Sequence, residues 1–204
     1  MGNFVIVIGR QYGGGGRKLG KTLAARFGVP YYDKELLAEA AKTMGYSEKI
    51  FDRADEKKPS ILRSLLSFNY GATSAPYNTF SLTNENIYRL QSDVIRRICE
   101  KSSCVIVGRT ADYIMREHPG LLSIFVHAPL EKRVAGIIER GEAGDENEAR
   151  ELINRKDHDR ESYYNYFTNR HWGRASNYDL TVDSSKFSLS EIVSLIEAHL
   201  KAKP

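Results

Sequence analysis

The chain has 204 residues, 41% hydrophobic and 27% charged, which suits one compact domain and excludes both a disordered polymer and a pair of large domains. No apolar run approaches the roughly 20 residues that a bilayer crossing needs, so no membrane partner is expected. A net charge of +4 fits an anionic ligand, and Arg10, Arg17, Arg109, Arg155 and Arg160 fall at segment ends where loops can converge on one.

Met1-Gly2-Asn3 leads straight into Phe4-Val5-Ile6-Val7-Ile8, with no charged head or small-residue cleavage site of a secretory signal. Gly2 opens a myristoylation pattern that Ile6 breaks, and a cytoplasmic address is expected. Residues 4–8 read as a strand. Behind it comes Gly9-Arg10-Gln11-Tyr12-Gly13-Gly14-Gly15-Gly16-Arg17, then a helix with Leu19, Leu23 and Phe27 on one face. Four consecutive glycines there are not expected to serve core packing. Without Cβ atoms the backbone N–H groups can turn to an anion, and the helix N-terminus adds its dipole, so strand, turn and helix form a phosphate cradle.

Two registers compete for this turn. Gly15-Gly16-Arg17-Lys18-Leu19-Gly20-Lys21-Thr22 satisfies the P-loop pattern G-x-x-x-x-G-K-T. Its lysine, however, would lie inside the helix, about 200° round from Leu19, whereas Leu23 and Phe27 lie at about 40° and 80°. The register preferred is Arg10 through Arg17. There Gly16 stands at the usual lysine and Arg17 at the hydroxyl residue that would hold magnesium. Gly20, bordering the packed face, is expected to permit close approach to the sheet. A dinucleotide-binding fold is disfavoured: Asp33 sits where a ribose-binding acid would, but neither Lys18 nor Leu19 supplies the third glycine of G-x-G-x-x-G.

Further along, a short strand is expected over 29–32. Asp33 caps a helix that holds Leu36, Leu37, Ala40, Ala41 and Met44 inside and stops at Gly45. Residues of about 55–83 are polar and turn-rich. Asn84 is expected to cap a helix whose Ile87, Leu90, Val94, Ile95 and Ile98 form a buried stripe. Strands follow over 104–107, 122–127 and 179–182, and a last helix is capped by Ser188, with Leu189, Ile192, Val193, Ile196 and Leu200 inside. Strands alternating with helices point to an α/β protein with a parallel sheet. Residues 144–174 interrupt the alternation with dense charge and with Tyr163, Tyr164, Tyr166, Phe167 and Trp172, aromatics that suit base stacking or packing equally. Cys99 and Cys104 suggest neither a disulfide framework nor a zinc site, and His118, His127, His158, His171 and His199 lack ligand spacing.

Arg10-Gln11-Tyr12-Gly13 with its glycine run, Tyr32-Asp33-Lys34-Glu35-Leu36, Val105 through Tyr113, and Tyr178-Asp179-Leu180 together resemble the cytidylate-kinase-like family of P-loop proteins. The resemblance implies one P-loop kinase-type three-layer α/β domain over 1–204, with a five-stranded parallel sheet. It further implies a monophosphate-binding insertion, here 51–83, and a helical lid, here 143–174. Gly108-Arg109 resembles the family's Gly-Arg that grips the acceptor phosphate, as also suits an arginine fork at a strand's carboxyl end. Asp157-x-x-Arg160 resembles the lid motif whose arginine steadies migrating phosphoryl charge while the aspartate orients the acceptor side. Ile153 stands where a second lid arginine is usual, with Arg155 as a candidate substitute.

The candidate residues are therefore Gly13, Gly14, Gly15, Gly16, Arg17 and Lys18 for ATP and its phosphates, Asp33 and Arg109 for the acceptor, and Arg17, Asp157 and Arg160 for catalysis. ATP and Mg²⁺ are the implied cofactors, and the metal's protein ligands are not identified. Two functions fit: phosphoryl transfer from ATP to a small phosphate-bearing acceptor such as CMP or dCMP, or a non-catalytic nucleotide-binding sensor. A nucleic-acid partner is not expected, since no recognised module accompanies the charge.

Overall fold

The computed structural model describes residues 3–45 and 84–202, and the expected insertion over 51–83 lies outside them. Five strands, β1 (Val5–Arg10), β2 (Tyr31–Tyr32), β3 (Cys104–Val107), β4 (Leu121–His127) and β5 (Leu180–Asp183), form one sheet in the order β2-β3-β1-β4-β5. Every pairing in it is parallel. The helices are α1 (Gly16–Phe27), α2 (Lys34–Thr43), α3 (Asn84–Lys101), α4 (Ala111–Ile114), α5 (Leu130–Glu139), α6 (Glu146–Thr168) and α7 (Leu189–Ala202). No helix among the described residues is long and apolar enough to cross a membrane.

The central strands read as unbroken apolar runs because both sheet faces are covered. Ile6, Ile8, Val105, Val107, Ile124 and Val126 pack under α1 and α7 with Leu19, Leu23 and Ile196. Val5, Val7 and Ile106 face the other way, onto Leu37, Val94, Ile95 and Ile98 of α2 and α3. A third cluster, Val134, Ile137, Ala149 and Ile153, joins α5 to α6. Ile153, standing where a second lid arginine is usual, is therefore core.

Local signals act much as expected, with shifts that have physical causes. Asp33 accepts the Leu36 N–H at 3.3 Å, and Gly45 follows the end of α2 at φ 85°. Leu36, expected inside, is 39% exposed. Ser188 and Glu191 form a reciprocal capping box at α7, with Ser188 N–H donating to Glu191 at 2.7 Å and Glu191 N–H to Ser188 Oγ at 3.3 Å. Asn84 is the first residue of α3 and not the residue before it. β2 is two residues long, an edge strand paired with β3 at Tyr31 and Tyr32. β5 starts one residue late because the Asp179 carboxylate caps its entry, accepting both the N–H and the hydroxyl of Ser123 at 2.8 Å. Cys99 and Cys104 are free buried thiols with sulfurs 3.8 Å apart.

Candidate functional site

In this sheet order the connection leaving β1 and that leaving β3 run to opposite sides, which opens a crevice at the carboxyl ends of these neighbours. The glycine turn and the segment Gly108-Arg109-Thr110 border it. At the turn, α1 begins at Gly16 after Gly15 at φ 82°, and its first intrahelical bond to the turn is Leu19 N–H to Gly15 O at 3.0 Å. The amides of Gly16, Arg17 and Lys18 thus precede any intrahelical acceptor, as at every helix start. Lys21 is exposed on the side of a continuous helix, 5.9 Å from the Tyr31 ring, and Thr22 Oγ1 donates back to Lys18 O. A Cβ on Gly20 would come within 2.7 Å of Val107, so this glycine serves close helix–sheet approach. The P-loop match that begins at Gly15 is helix from Gly16 onward, and the turn spans residues 11–15, between Arg10 at the end of β1 and Gly16 at the start of α1.

The glycines are more than a cradle. A Cβ at Gly13 would meet Arg133 at 3.0 Å, one at Gly14 would meet the carbonyls of Gln11 and Val126 at 3.2 and 3.3 Å, and one at Gly16 would meet Arg10 Cβ at 2.6 Å. Packing, set aside in the sequence reading, accounts for three of the four. Nor are all amides turned to a ligand: Tyr12 N–H donates to Asp157 Oδ1 at 2.6 Å and Gly14 N–H to Gln11 O at 3.1 Å.

Beside the turn lies a cleft of about 370 Å³ lined by Arg10, Tyr12, Arg17, Lys34, Glu35, Val107, Arg109, Lys156, Asp159 and Arg160. Six cations against two acids make it a strongly electropositive hollow. Arg17, Arg109 and Arg160, expected from sequence, do come together there. Arg109 is 4% exposed and held at φ 61° between Gly108 and Thr110, which are at φ 81° and 52°. Two successive non-glycine residues in the left-handed region store strain of the kind found at ligand clamps. The Arg160 guanidinium lies over the Tyr12 ring at 5.3 Å and donates to Arg10 O at 3.4 Å. Asp33 lies next to the lining residue Lys34, 4.0 Å from Arg17 Nε. Burial works to raise its carboxyl, but the Leu36 N–H bond, hydrogen bonds with the Glu35 and Tyr31 side chains and, last, Arg17 outweigh it and hold it below its ordinary value.

Gly13, Gly14, Gly15, Gly16, Lys18, Asp33, Arg155 and Asp157 are not among the residues that line the cleft, and Lys156 takes the place expected of Arg155. The Asp157 carboxylate turns to the glycine turn instead: it binds Tyr12 N–H and, at 2.6 Å, Arg133 Nη1. Arg133 is 7% exposed and donates also to the carbonyls of Ala128 and Tyr12 at 3.1 and 3.2 Å. Sequence reasoning missed this residue. Its signal was a cation on the apolar stripe of α5, beside Leu130, Val134 and Ile137.

Asp112 was missed as well. It is 7% exposed, lines a small hollow together with Arg10, Arg109 and Arg160, and accepts the Tyr164 hydroxyl at 2.8 Å. Burial pushes its carboxyl up to about 6, against the opposing pull of the Tyr164 bond. The α6 aromatics pack rather than wait for a base: Phe167 stacks on Tyr88 at 4.1 Å and Tyr163 tilts against Phe167 at 4.8 Å.

A parallel sheet with a glycine-rich turn after its first strand and a cation-lined crevice at the switch point defines the P-loop kinase class of fold. Residues 5–186 match the model of the cytidylate kinase-like family, and the chain belongs to that family. It is 26% identical over 180 residues to a cytidylate kinase of Methanosarcina barkeri (strain Fusaro / DSM 804), covering 87% of this chain and 88% of that one. Among solved structures, an uncharacterized protein of Eubacterium ventriosum ATCC 27560 aligns with TM-score 0.74 and 25% identity over 98% of this chain and 100% of the other. Shikimate kinase of Bacteroides thetaiotaomicron shares the fold at TM-score 0.53, with 11% identity over 97% of this chain and 98% of its own.

Proposed function

We propose that the protein transfers the terminal phosphoryl group of ATP to a small phosphate-bearing acceptor, with CMP and dCMP the first acceptors to test. The observation that carries this reading is the cleft in which Arg17, Arg109 and Arg160 converge beside the glycine turn. In phosphoryl transfer an acceptor oxygen bonds to the γ-phosphorus as the bond to the β–γ bridging oxygen breaks, and ADP leaves with that oxygen's charge. Catalysis is then positioning and charge neutralisation. In this reading the amides at the start of α1 and Arg17 hold the donor phosphates, and Arg109, fixed by its strained backbone, grips the acceptor phosphate. Asp33 borders the acceptor side and Arg160 meets the charge in flight. Asp157 positions the turn from behind. Residues 51–83 are assigned to the acceptor side and 143–174 to a lid.

The donor set fits a polyphosphate. For Mg²⁺, no group of three or more His, Cys, Asp or Glu that could hold a metal gathers among the described residues. Glu35 and Asp159, on the cleft wall, would hold a magnesium ion that takes most of its ligands from phosphate and water. When bound, it would supply neutralisation of phosphate charge.

A second reading, a sensor that binds nucleotide without turnover, is favoured by Gly16 and Arg17 standing where a working P-loop carries lysine and a hydroxyl. A panel of nucleoside monophosphates with ATP and Mg²⁺, followed by product formation beside calorimetric binding, separates the two. Product from CMP or dCMP is the expected result. Nucleotide binding without product from any acceptor would establish the sensor.

A further inference from the structure

Laid over Arg10 to Arg17, the pattern G-x-x-x-x-G-K-[ST] puts its first glycine at Arg10, its second at Gly15, its lysine at Gly16 and its hydroxyl at Arg17. Glycine and cation have thus changed places between the first and seventh positions. The coordinates give this exchange a steric reason. A Cβ on Gly16 would come within 2.6 Å of Arg10 Cβ, 3.0 Å of Arg10 Cγ and 3.4 Å of Ile8 Cγ2. The first two are contacts with the root of a side chain, which cannot swing aside as a side-chain tip can. No residue but glycine at 16 leaves the arginine stem where it is, and a lysine at 16 would require the glycine that an ordinary P-loop has at position 10.

We propose that Arg10 is the phosphate-gripping cation of this turn, delivered from the end of β1 across Gly16 and replacing the lysine that other P-loops carry at the start of the helix. The inference rests on the reading of the turn as a nucleotide site. Arg10 is half-buried, is the last residue of β1 and lines the cleft together with Arg17, Arg109 and Arg160. The other cations of the segment are placed less well. Lys18 is exposed and is not among the lining residues, Lys21 is on the outer side of α1, and the Arg17 side chain is 62% exposed. A guanidinium also changes what the turn can grip. Its planar fork binds two phosphate oxygens at once, whereas an ammonium acts as a point charge, so the exchange favours a fixed, bidentate hold.

The test is calorimetric titration of Mg·ATP into the wild type, Arg10→Gln, Arg17→Ala and the double variant Arg10→Gly/Gly16→Lys, each shown by thermal unfolding to be folded. Arg10→Gln keeps the stem packed over Gly16 and removes only the charge. Its affinity is expected to fall about 10- to 100-fold, the loss of one charge-assisted phosphate contact. The double variant, which restores the ordinary arrangement, is expected to regain most of that loss. Wild-type affinity in Arg10→Gln beside weakened binding in Arg17→Ala would overturn the proposal and leave the nucleotide site standing. A folded double variant no tighter than Arg10→Gln would overturn the exchange. A wild type that binds no Mg·ATP would overturn the site reading and the proposal with it.

Discussion

Two segments of α6 are tied to the rest of the molecule by different forces. Its middle carries Asp157 and Arg160, which reach the glycine turn through ion pairs and hydrogen bonds to Arg133, the Tyr12 N–H and Arg10 O. Its C-terminal turns carry Tyr163 and Phe167, which pack on Tyr88 of α3, and Tyr164, whose hydroxyl donates to the buried Asp112. Aromatic packing is indifferent to an arriving anion. A phosphate in the cleft, by contrast, competes directly for Arg160. The aromatic segment therefore acts as an anchor, the anchor half of the pair, and the polar segment is the part whose contacts a ligand can exchange.

The largest expected effect breaks the polar segment. Arg133→Met leaves the half-buried Asp157 carboxylate with only the 3.5 Å contact to Arg160 as an ion pair and strips two carbonyls of their donor, and should cost roughly 3 kcal/mol of stability in urea unfolding. Adding Asp157→Asn, which still accepts the Tyr12 N–H, should recover much of that loss. A single variant as stable as the wild type would mean that the charge pair holds nothing.

The anchor half responds to pH instead. Asp112 is pushed up to about 6 in the folded chain, above its ordinary carboxylate value of about 3.9. The folded state thus holds that proton more tightly than the unfolded one. The stability this adds is complete below about pH 4 and is lost as pH rises through 6. Asp112→Asn stays neutral, so its stability relative to the wild type should climb by about 2–3 kcal/mol between pH 4 and pH 7. Unfolding curves recorded across that range measure the difference, and parallel curves would show that Asp112 titrates normally.

A smaller change sharpens the same half. Tyr164→Phe removes the hydroxyl that donates to Asp112 at 2.8 Å while keeping the ring. It should cost about 1–2 kcal/mol near pH 7, where the acid is ionised, and less near pH 4. An equal cost at both pH values would assign the loss to ring packing.

What could be read in the sequence was what neighbours along the chain decide. The Ile-Val runs marked the strands, Asp33 and Ser188 marked helix starts, and the helical angle of Lys21 put its side chain on the exposed side of α1. What escaped depends on partners far apart in the chain. Arg133 and Asp157 are 24 residues apart, and Asp112 and Tyr164 are 52 apart, so no local pattern announces either pair. The glycine run was half legible. Its place after β1 pointed to the proposed phosphate site, but that Gly13, Gly14 and Gly16 also yield room to Arg133, to two carbonyls and to Arg10 appears only once the strands are paired. The partners of Asp157 were out of reach for the same reason: the resemblance implied a role on the acceptor side, and only the fold shows its carboxylate bound to the Tyr12 N–H and Arg133.

The central claim is that the phosphate site is the turn from Arg10 to Arg17 and not the helical segment that carries the familiar motif. Calorimetric titration of Mg·ATP into Lys21→Ala and Arg17→Ala at one salt concentration tests it most directly. The account predicts unchanged affinity for Lys21→Ala and a loss of about 1.5–3 kcal/mol for Arg17→Ala, the size of a charge-assisted phosphate contact. A severe loss for Lys21→Ala beside a mild one for Arg17→Ala would contradict it and return the site to Gly15 through Thr22.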